Sequence, residues 1–392
     1  MLLEAGTEDP TSSYAEDSSE MLACCRKFLS KPPYPRSYVL QKPTFQITTD
    51  LYVVCQAGSR LIVYWTKIVA GRLMSNCNYS PLRVHADMNT TIGDSDCHAM
   101  KQPSPEYFVV RNLTSIYAVS YKPDEDTCEF ELSRPSYSNL LKTSRPAGVC
   151  FAVVLNVGHR IVAVSHALEV FLFVPPRSRF YGNRPAPADH WKHCKTRLPD
   201  DLVVNRRVEL SGYVVLDADT FIVSDKETCR CFLLNLDVKQ WEVVLPDDKI
   251  TTLQFLDPLV YGRQRLTGRC IYVGGYIYSC APGGLGAYDF GDGLLDDRIC
   301  LPFSWRKKAW ESERMCLELV GAVGGAVLFC VVQGEFFRRP GGQDVHATIV
   351  QVKTTRTPAG KFRPVSIDHV DIATCFIPRE DMVVDTIGCF SV

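Results

Sequence analysis

Residues 208–244 read VELSGYVVLDADTFIVSDKETCRCFLLNLDVKQWEVV. Valine, isoleucine, leucine, tyrosine and phenylalanine fill short runs, and polar residues interrupt them at Asp217–Asp219 and at Lys226-Glu227. Runs of this length and composition, bounded by turn residues, predict strands, and this stretch predicts four. The same phrase, a strand, a tight turn and a second strand, recurs along the chain. The second strands read LYVVC from Leu51, SIYAVS from Ser115, RIVAVS from Arg160, DTFIVSD from Asp219, GYIYSC from Gly275 and GAVLFC from Gly325. Their starts are 64, 45, 59, 56 and 50 residues apart.

A loose repeat of about 50 residues built from hairpins is the mark of a β-propeller. The expected fold is all-β, a single propeller with six blades favoured and seven possible. The turns before the second strands are expected at Thr49-Asp50, Asn112–Ser115, Val157–Arg160, Asp217–Asp219, Gly274-Gly275 and Gly324-Gly325. Paired glycines suit the turns whose twist matches a hairpin. Further strands are expected around Arg298–Phe303, at ATIVQVK (347–353) and at KFRPVSI (361–367). Two polar stretches, Met74–Pro105 and Pro175–Pro199, read as insertions. The last segment, DIATCFIPREDMVV, adds one or two strands. An open ring would expose sheet edges, so it is expected to close the ring against Ser37–Thr48, with strands from both termini in one blade.

Residues 1–20 hold six acidic residues and almost no aliphatic pattern, and 21–29 could form one short helix before Pro32, Pro33 and Pro35. Residues 1–36 are therefore expected to be a flexible acidic tail and 37–392 the propeller. The chain of 392 residues has 43 basic and 44 acidic residues, which gives no excess for neutralising phosphates. No nucleic-acid partner is expected. The longest uncharged apolar run, Leu319–Val332, is 14 residues, short of the roughly 20 that a spanning helix needs, so no membrane is expected either. Seventeen cysteines are irregularly spaced, and several, such as Cys55, Cys150, Cys280, Cys330 and Cys375, sit within apolar runs. Free thiols in a reducing compartment, cytoplasm or nucleus, follow from that placement and from the missing basic leader. The sequons at Asn78, Asn89 and Asn112 then stay unused.

The Gly274-Gly275, Tyr288-Asp289 and Trp241 signals make the chain resemble a degenerate kelch repeat. Residues 211–244, 274–290 and IATCFIP (372–378) together resemble the kelch-like, F-box-associated propellers abundant in grasses. That resemblance covers about residues 37–390 and implies a substrate-recognition or scaffold platform. The leucine-rich helical pattern of an F-box is missing, and LPDDLV (198–203) sits inside the propeller.

Catalytic and metal signals are weak. His190, His193 and Cys194 in HWKHC lack a fourth ligand and read as a polar loop. GDSDCH (93–98) does not complete a calcium loop. The glycines of APGGLGAYDFGDG (281–293) lie between strands, not before a helix, so they serve turns. No cofactor or metal is expected. Arginine and aromatic residues, enriched at interface hot spots, gather in three connections. They are Arg177, Arg179, Tyr181, Arg184 and Trp191; then Trp305, Arg306 and Trp310; then Phe336 and Arg338. The expected function is a non-catalytic, monomeric protein-interaction module with a protein partner. The alternative is an enzyme or small-ligand binder that uses the central channel. Fold does not decide between them; the groups at the channel do.

Overall fold

In the computed structural model, the described residues are 48–57, 60–74, 83–89, 98–101, 107–111, 115–120, 122–123, 130–131, 143–144, 149, 151–158, 160–173, 191–198, 208–228, 230–245, 266–281, 284–291, 294–302, 315–323, 325–334, 342–378 and 384–391. None of them is helical. The acidic tail and the short helix expected before residue 37 lie outside them.

Six sheets of four or five strands follow one another along the chain. The first holds β1 (Thr48–Ala57), β2 (Arg60–Val69), β3 (Arg72–Leu73) and β4 (Arg83–Asn89), together with the last strand, β28 (Val384–Ser391). The second holds β5 (His98–Lys101), β6 (Tyr107–Arg111), β7 (Ser115–Ser120) and β10 (Thr143–Ser144), while β8 (Lys122–Pro123) and β9 (Phe130–Glu131) pair with each other. The third is β11 (Phe151–Val157), β12 (Arg160–Ser165), β13 (Val170–Phe173) and β14 (Trp191–Cys194). The fourth is β15 (Leu210–Val215), β16 (Thr220–Asp225), β17 (Cys231–Asn235) and β18 (Gln240–Leu245), with β19 (Gly268–Arg269) added in parallel to β15. The fifth is β20 (Ile271–Val273), β21 (Tyr276–Ala281), β22 (Gly284–Gly291) and β23 (Leu294–Pro302). The sixth is β24 (Cys316–Val323), β25 (Ala326–Gly334), β26 (Gly342–Arg356) and β27 (Phe362–Pro378).

From the third to the sixth, neighbouring sheets pack face to face, and the sixth packs on the first. On β25, Val327, Phe329 and Val331 meet Tyr278 and Leu285 of the fifth sheet, while Leu328, Cys330 and Val332 meet Leu51, Val53 and Ile68 of the first. On β16, Phe221 and Val223 pack with Val162 and Val164 of the third sheet, and Ile222 with Ile277 of the fifth. Period-two alternation therefore sends side chains into two different cores instead of one core and solvent. The first strands of the sheets run beside one another. β28 lies alongside β5, β5 alongside β11, β11 alongside β15, β15 alongside β20, β20 alongside β24, and β24 alongside β28.

Strand polarity gives the sheets two sides. One side carries the turns at 157–160, 217–219, 274–275 and 357–361, and there adjacent sheets are laced together. Arg160 pairs with Asp219 at 3.0 Å and Asp237 at 3.7 Å, the Phe362 amide donates to Gly274 O at 2.8 Å, and Lys361 pairs with Asp289. On the other side, the Val208 amide donates to His166 O at 2.7 Å. Deeper in the stack, the Trp241 indole Nε1 donates to Leu168 O of the third sheet at 3.1 Å, and Trp241 is 1% exposed.

Several expectations need correcting. Thr49 and Asp50 are not a turn; they lie within β1, opposite Ile68 and Lys67. SIYAVS is the third strand of its sheet in chain order, after β5 and β6, not the second. The two polar stretches read as insertions contain β4, β5 and β14. Trp191–Cys194 of the supposed polar loop HWKHC is a strand whose Trp191 and Cys194 are buried. Residues 371–378 continue β27, so the terminal strand is β28, and it pairs with Leu51–Ala57; the expected partner residues 37–47 lie outside the described residues.

The Gly274-Gly275 turn has φ values of 63° and 89°, the geometry that a two-residue type I′ hairpin requires. At Asp217–Asp219 the Asp217 carboxylate accepts the Asp219 and Thr220 amides at 2.8 Å each, so a side chain replaces the glycine solution. Gly158 is more constrained: its φ is +58°, and a Cβ there would sit 2.5 Å from Ala218 O on the adjacent sheet. Gly360, at φ +80°, has nothing within 4 Å. Gly360→Ala should therefore cost about 1–2 kcal/mol, the backbone penalty alone. Gly158→Ala should cost clearly more, because the third and fourth sheets must also separate. Urea denaturation of both variants tests this, and equal losses would contradict it.

Candidate functional site

The first strands of the third to sixth sheets line a cavity of about 360 Å³. β11 supplies Leu155 and Asn156, and β15 supplies Tyr213 and Val215. The segment entering the fifth sheet supplies Arg269 to Tyr272, and β24 supplies Glu318 and Leu319. Gly212 lets β15 and β19 approach in parallel: a Cβ on Gly212 would meet Leu266 carbonyl atoms at 2.6 Å and Gly268 O at 2.8 Å. Ser211 Oγ donates to Leu266 O at 2.8 Å and the Cys270 amide to Tyr213 O at 2.8 Å, which fixes the segment carrying Arg269.

Arg269 Nη1 lies 2.7 Å from Glu318 Oε2. The Glu318 side chain is 5% exposed and that of Arg269 29%, so the carboxylate is the buried partner and the guanidinium fronts the cavity. A charge-assisted contact of this length compensates much of the cost of burying the carboxylate. The described lining thus carries one cation and one anion.

Cys270 is the thiol in the lining. Burial pushes it up to about 12, so it stays protonated and is a poor nucleophile. Burial also raises Cys280 and Cys330. Cys194, Cys231, Cys270, Cys280, Cys316 and Cys330 are in no disulfide. Among the described residues, no group of three or more His, Cys, Asp or Glu side chains could hold a metal ion.

Nine of the ten interface residues expected from sequence lie outside the described residues: Arg177, Arg179, Tyr181, Arg184, Trp305, Arg306, Trp310, Phe336 and Arg338. Trp191 is described. It is 7% exposed in β14, and its ring lies 5.0 Å from that of Phe151 and 5.3 Å from that of Phe173. It is a core residue of the third sheet. The strand ends still sort the connections. Phe173 pairs directly with Trp191, so residues 174–190 join strand ends on the laced side. Residues 303–314 join β23 to β24, and 335–341 join β25 to β26; both join strand ends on the other side, and both reach the sixth sheet. The residues that line the cavity had no motif to announce them. Their only mark is a polar residue within an apolar strand: Asn156 in VVLNV and Glu318 in CLELV.

No family model matches the chain, and no curated protein matches its sequence. Among solved structures, the chain is similar to a chain of the yeast heterotrimeric Nup82-Nup159-Nup116 nucleoporin complex, with 10% identity, a TM-score of 0.38, and coverage of 86% of this chain and 97% of that one. It is similar to the Myceliophteria thermophila Cps50 (Swd1) beta-propeller domain, with 8% identity, a TM-score of 0.39, and coverage of 82% and 88%. It is also similar to a putative TolB from Agrobacterium tumefaciens, with 11% identity, a TM-score of 0.36, and coverage of 85% and 99%. Likeness at this level assigns neither a family nor a function.

The Cys270 environment has a consequence at high pH. The folded thiol titrates near 12, the unfolded one near 9.0. Between those values the unfolded chain binds fewer protons than the folded one, so stability falls as pH rises from about 9 towards 12 and is unaffected by this group below 9. Replacing Cys270 with Ala should flatten part of that decline in denaturation curves taken from pH 8 to 11. An unchanged slope would show that Cys270 is not the group responsible.

Proposed function

We propose that the six sheets are six blades of one propeller, closed by β28 against β1, and that the chain is a non-catalytic platform for a protein partner. The cyclic order of first strands, ending with β24 beside β28 and β28 beside β5, supports the closed ring. Its kelch-like character rests on the Gly274-Gly275 turn, Tyr288-Asp289 and Trp241. The six free thiols fit a reducing compartment, cytoplasm or nucleus.

The observation that carries the interaction reading is the distribution of strand ends. The blades are buried on both faces, which leaves their connections to make contacts. Two connections rich in arginine and aromatic residues leave the sixth sheet on one side. Trp305, Arg306, Trp310, Phe336 and Arg338 are the proposed contact residues there. Arg177, Arg179, Tyr181 and Arg184 leave the third sheet on the opposite side, so one partner surface does not include both groups. The non-catalytic reading draws on the cavity: its thiol is held protonated and its carboxylate is paired with Arg269.

Two experiments test this reading. Deleting residues 384–392 strips β1 of its partner strand along Leu51–Ala57 and opens an apolar edge. The truncated chain should be lost to aggregation; a soluble, monodisperse product would sink the closed ring. For the interface, proteins captured by the full chain should be lost with Trp305→Ala/Phe336→Ala and retained with Arg179→Ala/Tyr181→Ala. The opposite pattern would move the contact surface to the laced side, and no change with either pair would reject both.

A further inference from the structure

Beyond the interaction reading, and independent of it, we infer that Thr357 is a phosphorylation site for a proline-directed serine/threonine kinase, and that basic residues of its own hairpin receive the phosphate. Thr357 opens the turn between β26 and β27, and Pro358 follows it. Pro358, Ala359 and Gly360 are exposed, and Thr357 is half-buried. The hairpin end overhangs the rest of its sheet: β25 pairs with β26 only as far as Lys353, and residues 354–356 pair with 362–364 beyond it. A kinase that reads proline just after the acceptor needs that acceptor extended and within reach. A residue before proline is held to extended geometry, and Thr357 directly continues β26.

The local charge suits a phosphate. The whole chain is nearly neutral, yet residues 353–363 (KTTRTPAGKFR) hold four basic residues and no acidic one. Lys353 pairs with Asp368 at 2.6 Å, and Lys361 with Asp289 of the fifth sheet. Arg356 and Arg363 are exposed on the two strands that enter and leave the turn. A phosphothreonine brings about −1.5 to −2 charges and three strong acceptor oxygens, and opposite arginines it forms charge-assisted hydrogen bonds instead of meeting repulsion.

The turn already aims a donor at the acceptor atom. Thr357 Oγ1 accepts the Lys361 amide at 3.1 Å, while the Thr357 amide donates to Lys361 O at 2.8 Å and the Gly360 amide to Thr357 O at 2.9 Å. A Cβ on Gly360 would have nothing within 4 Å, so the turn has an open side. In the transfer, Thr357 Oγ1 bonds to the γ-phosphorus of ATP, and the bond from that phosphorus to the β,γ-bridging oxygen breaks. ADP leaves, and the hydroxyl proton passes to the base of the kinase. The phosphate then stands beside residue 361, where it competes with Asp289 for the Lys361 ammonium. Asp289 keeps the Tyr276 hydroxyl as a donor. Phosphorylation therefore weakens one link between the fifth and sixth sheets, while the bond from the Phe362 amide to Gly274 O at 2.8 Å stays in place.

The folded full-length chain, incubated with ATP, magnesium and either a cyclin-dependent or a mitogen-activated kinase, tests the site. Peptide mass spectrometry reads occupancy at Thr357 separately from the Ser-Pro positions Ser80 and Ser104. At least one kinase should bring Thr357 close to full occupancy. Pro358→Ala, a change at an exposed turn position, should slow the transfer about tenfold or more, the usual scale for an unfilled specificity pocket. No phosphate at Thr357 with either kinase, or an equal rate for Pro358→Ala, would overturn the site. Phosphorus NMR then reads the surroundings of the phosphate. Its second ionisation should fall at lower pH than in the phosphorylated peptide 350–366, because nearby cations favour the dianion, and Lys361→Gln should move it back towards the peptide. The same ionisation in chain and peptide, or no change with Lys361→Gln, would overturn the receiving role of the hairpin.

Discussion

The structure depends on burying both faces of the fourth, fifth and sixth sheets against their neighbours. Every residue of β16 is buried, from Thr220 to Asp225, and so is each residue of β25 from Ala326 to Gln333. A strand in that position has no solvent face, so it cannot show the polar alternation of an ordinary surface sheet. It also explains where the cysteines go. Cys231, Cys270, Cys280 and Cys330 occupy buried strand positions or, for Cys270, the residue beside one, where a small side chain with a weak donor fits between facing sheets. The same constraint reaches the turns. Gly158 has no room for a Cβ because the next sheet's Ala218 carbonyl occupies that space, so a turn residue is set by the neighbouring sheet as much as by its own hairpin.

Continuous apolar runs are therefore legible, and they mark the second-place strand in five of the six sheets. All four strands of the fourth unit are legible, because β15 to β18 are each marked by aliphatic or aromatic residues. The strands missed were those short of apolar residues: RVHADMN (β4), HAMK (β5) and WKHC (β14). Missing β5 put the second unit out of phase, because SIYAVS then looked like a second strand when it is a third. The irregular spacing has this origin. Counting from the strands that occupy the second place in each sheet, Thr48, Tyr107, Arg160, Thr220, Tyr276 and Ala326, the starts are 59, 53, 60, 56 and 50 residues apart. The repeat is more regular than the sequence suggested. The first sheet fits the same count only because β28 takes the first place beside β1, a long-range pairing that no local pattern announces.

The candidate site was less legible for a related reason. Composition points to the connections, which is where exposed arginine and aromatic residues gather. Trp191 shows the weakness of that rule: a tryptophan flanked by Lys192 and His193 looks exposed in sequence, yet its ring fills the core beside Phe151 and Phe173. The cavity residues were hidden in the opposite way. Asn156, Arg269 and Glu318 sit in or next to strands whose other residues announce a core, and only the folded arrangement reveals that one edge of those strands faces an internal space. A lone charge in a strand otherwise bound for burial is the signal worth weighing. Glu318 in CLELVGAV could not be buried without a partner, and the partner, Arg269, lies 49 positions away in sequence on another sheet.

The proposed contact connections and the Arg269–Glu318 pair share the sixth sheet, and that raises the question of whether they can act on one another. β24 begins at Cys316, directly after the 303–314 connection, and carries Glu318 two residues later. A partner held by that connection would be close to the channel pair along the chain. Proximity is not coupling, which needs an element with two discrete arrangements that both sites bias. β24 is a poor candidate for such an element. It pairs with β25 from Cys316 to Val323, Leu317 is buried between the fifth and sixth sheets, and Val320 is buried toward the first. Shifting it would disturb two cores at once. On the opposite side Arg160 with Asp219 links the third sheet to the fourth, and Lys361 with Asp289 links the sixth to the fifth. The packing that fixes β24 therefore separates the proposed contact connections from the Arg269–Glu318 pair, and each would be read independently.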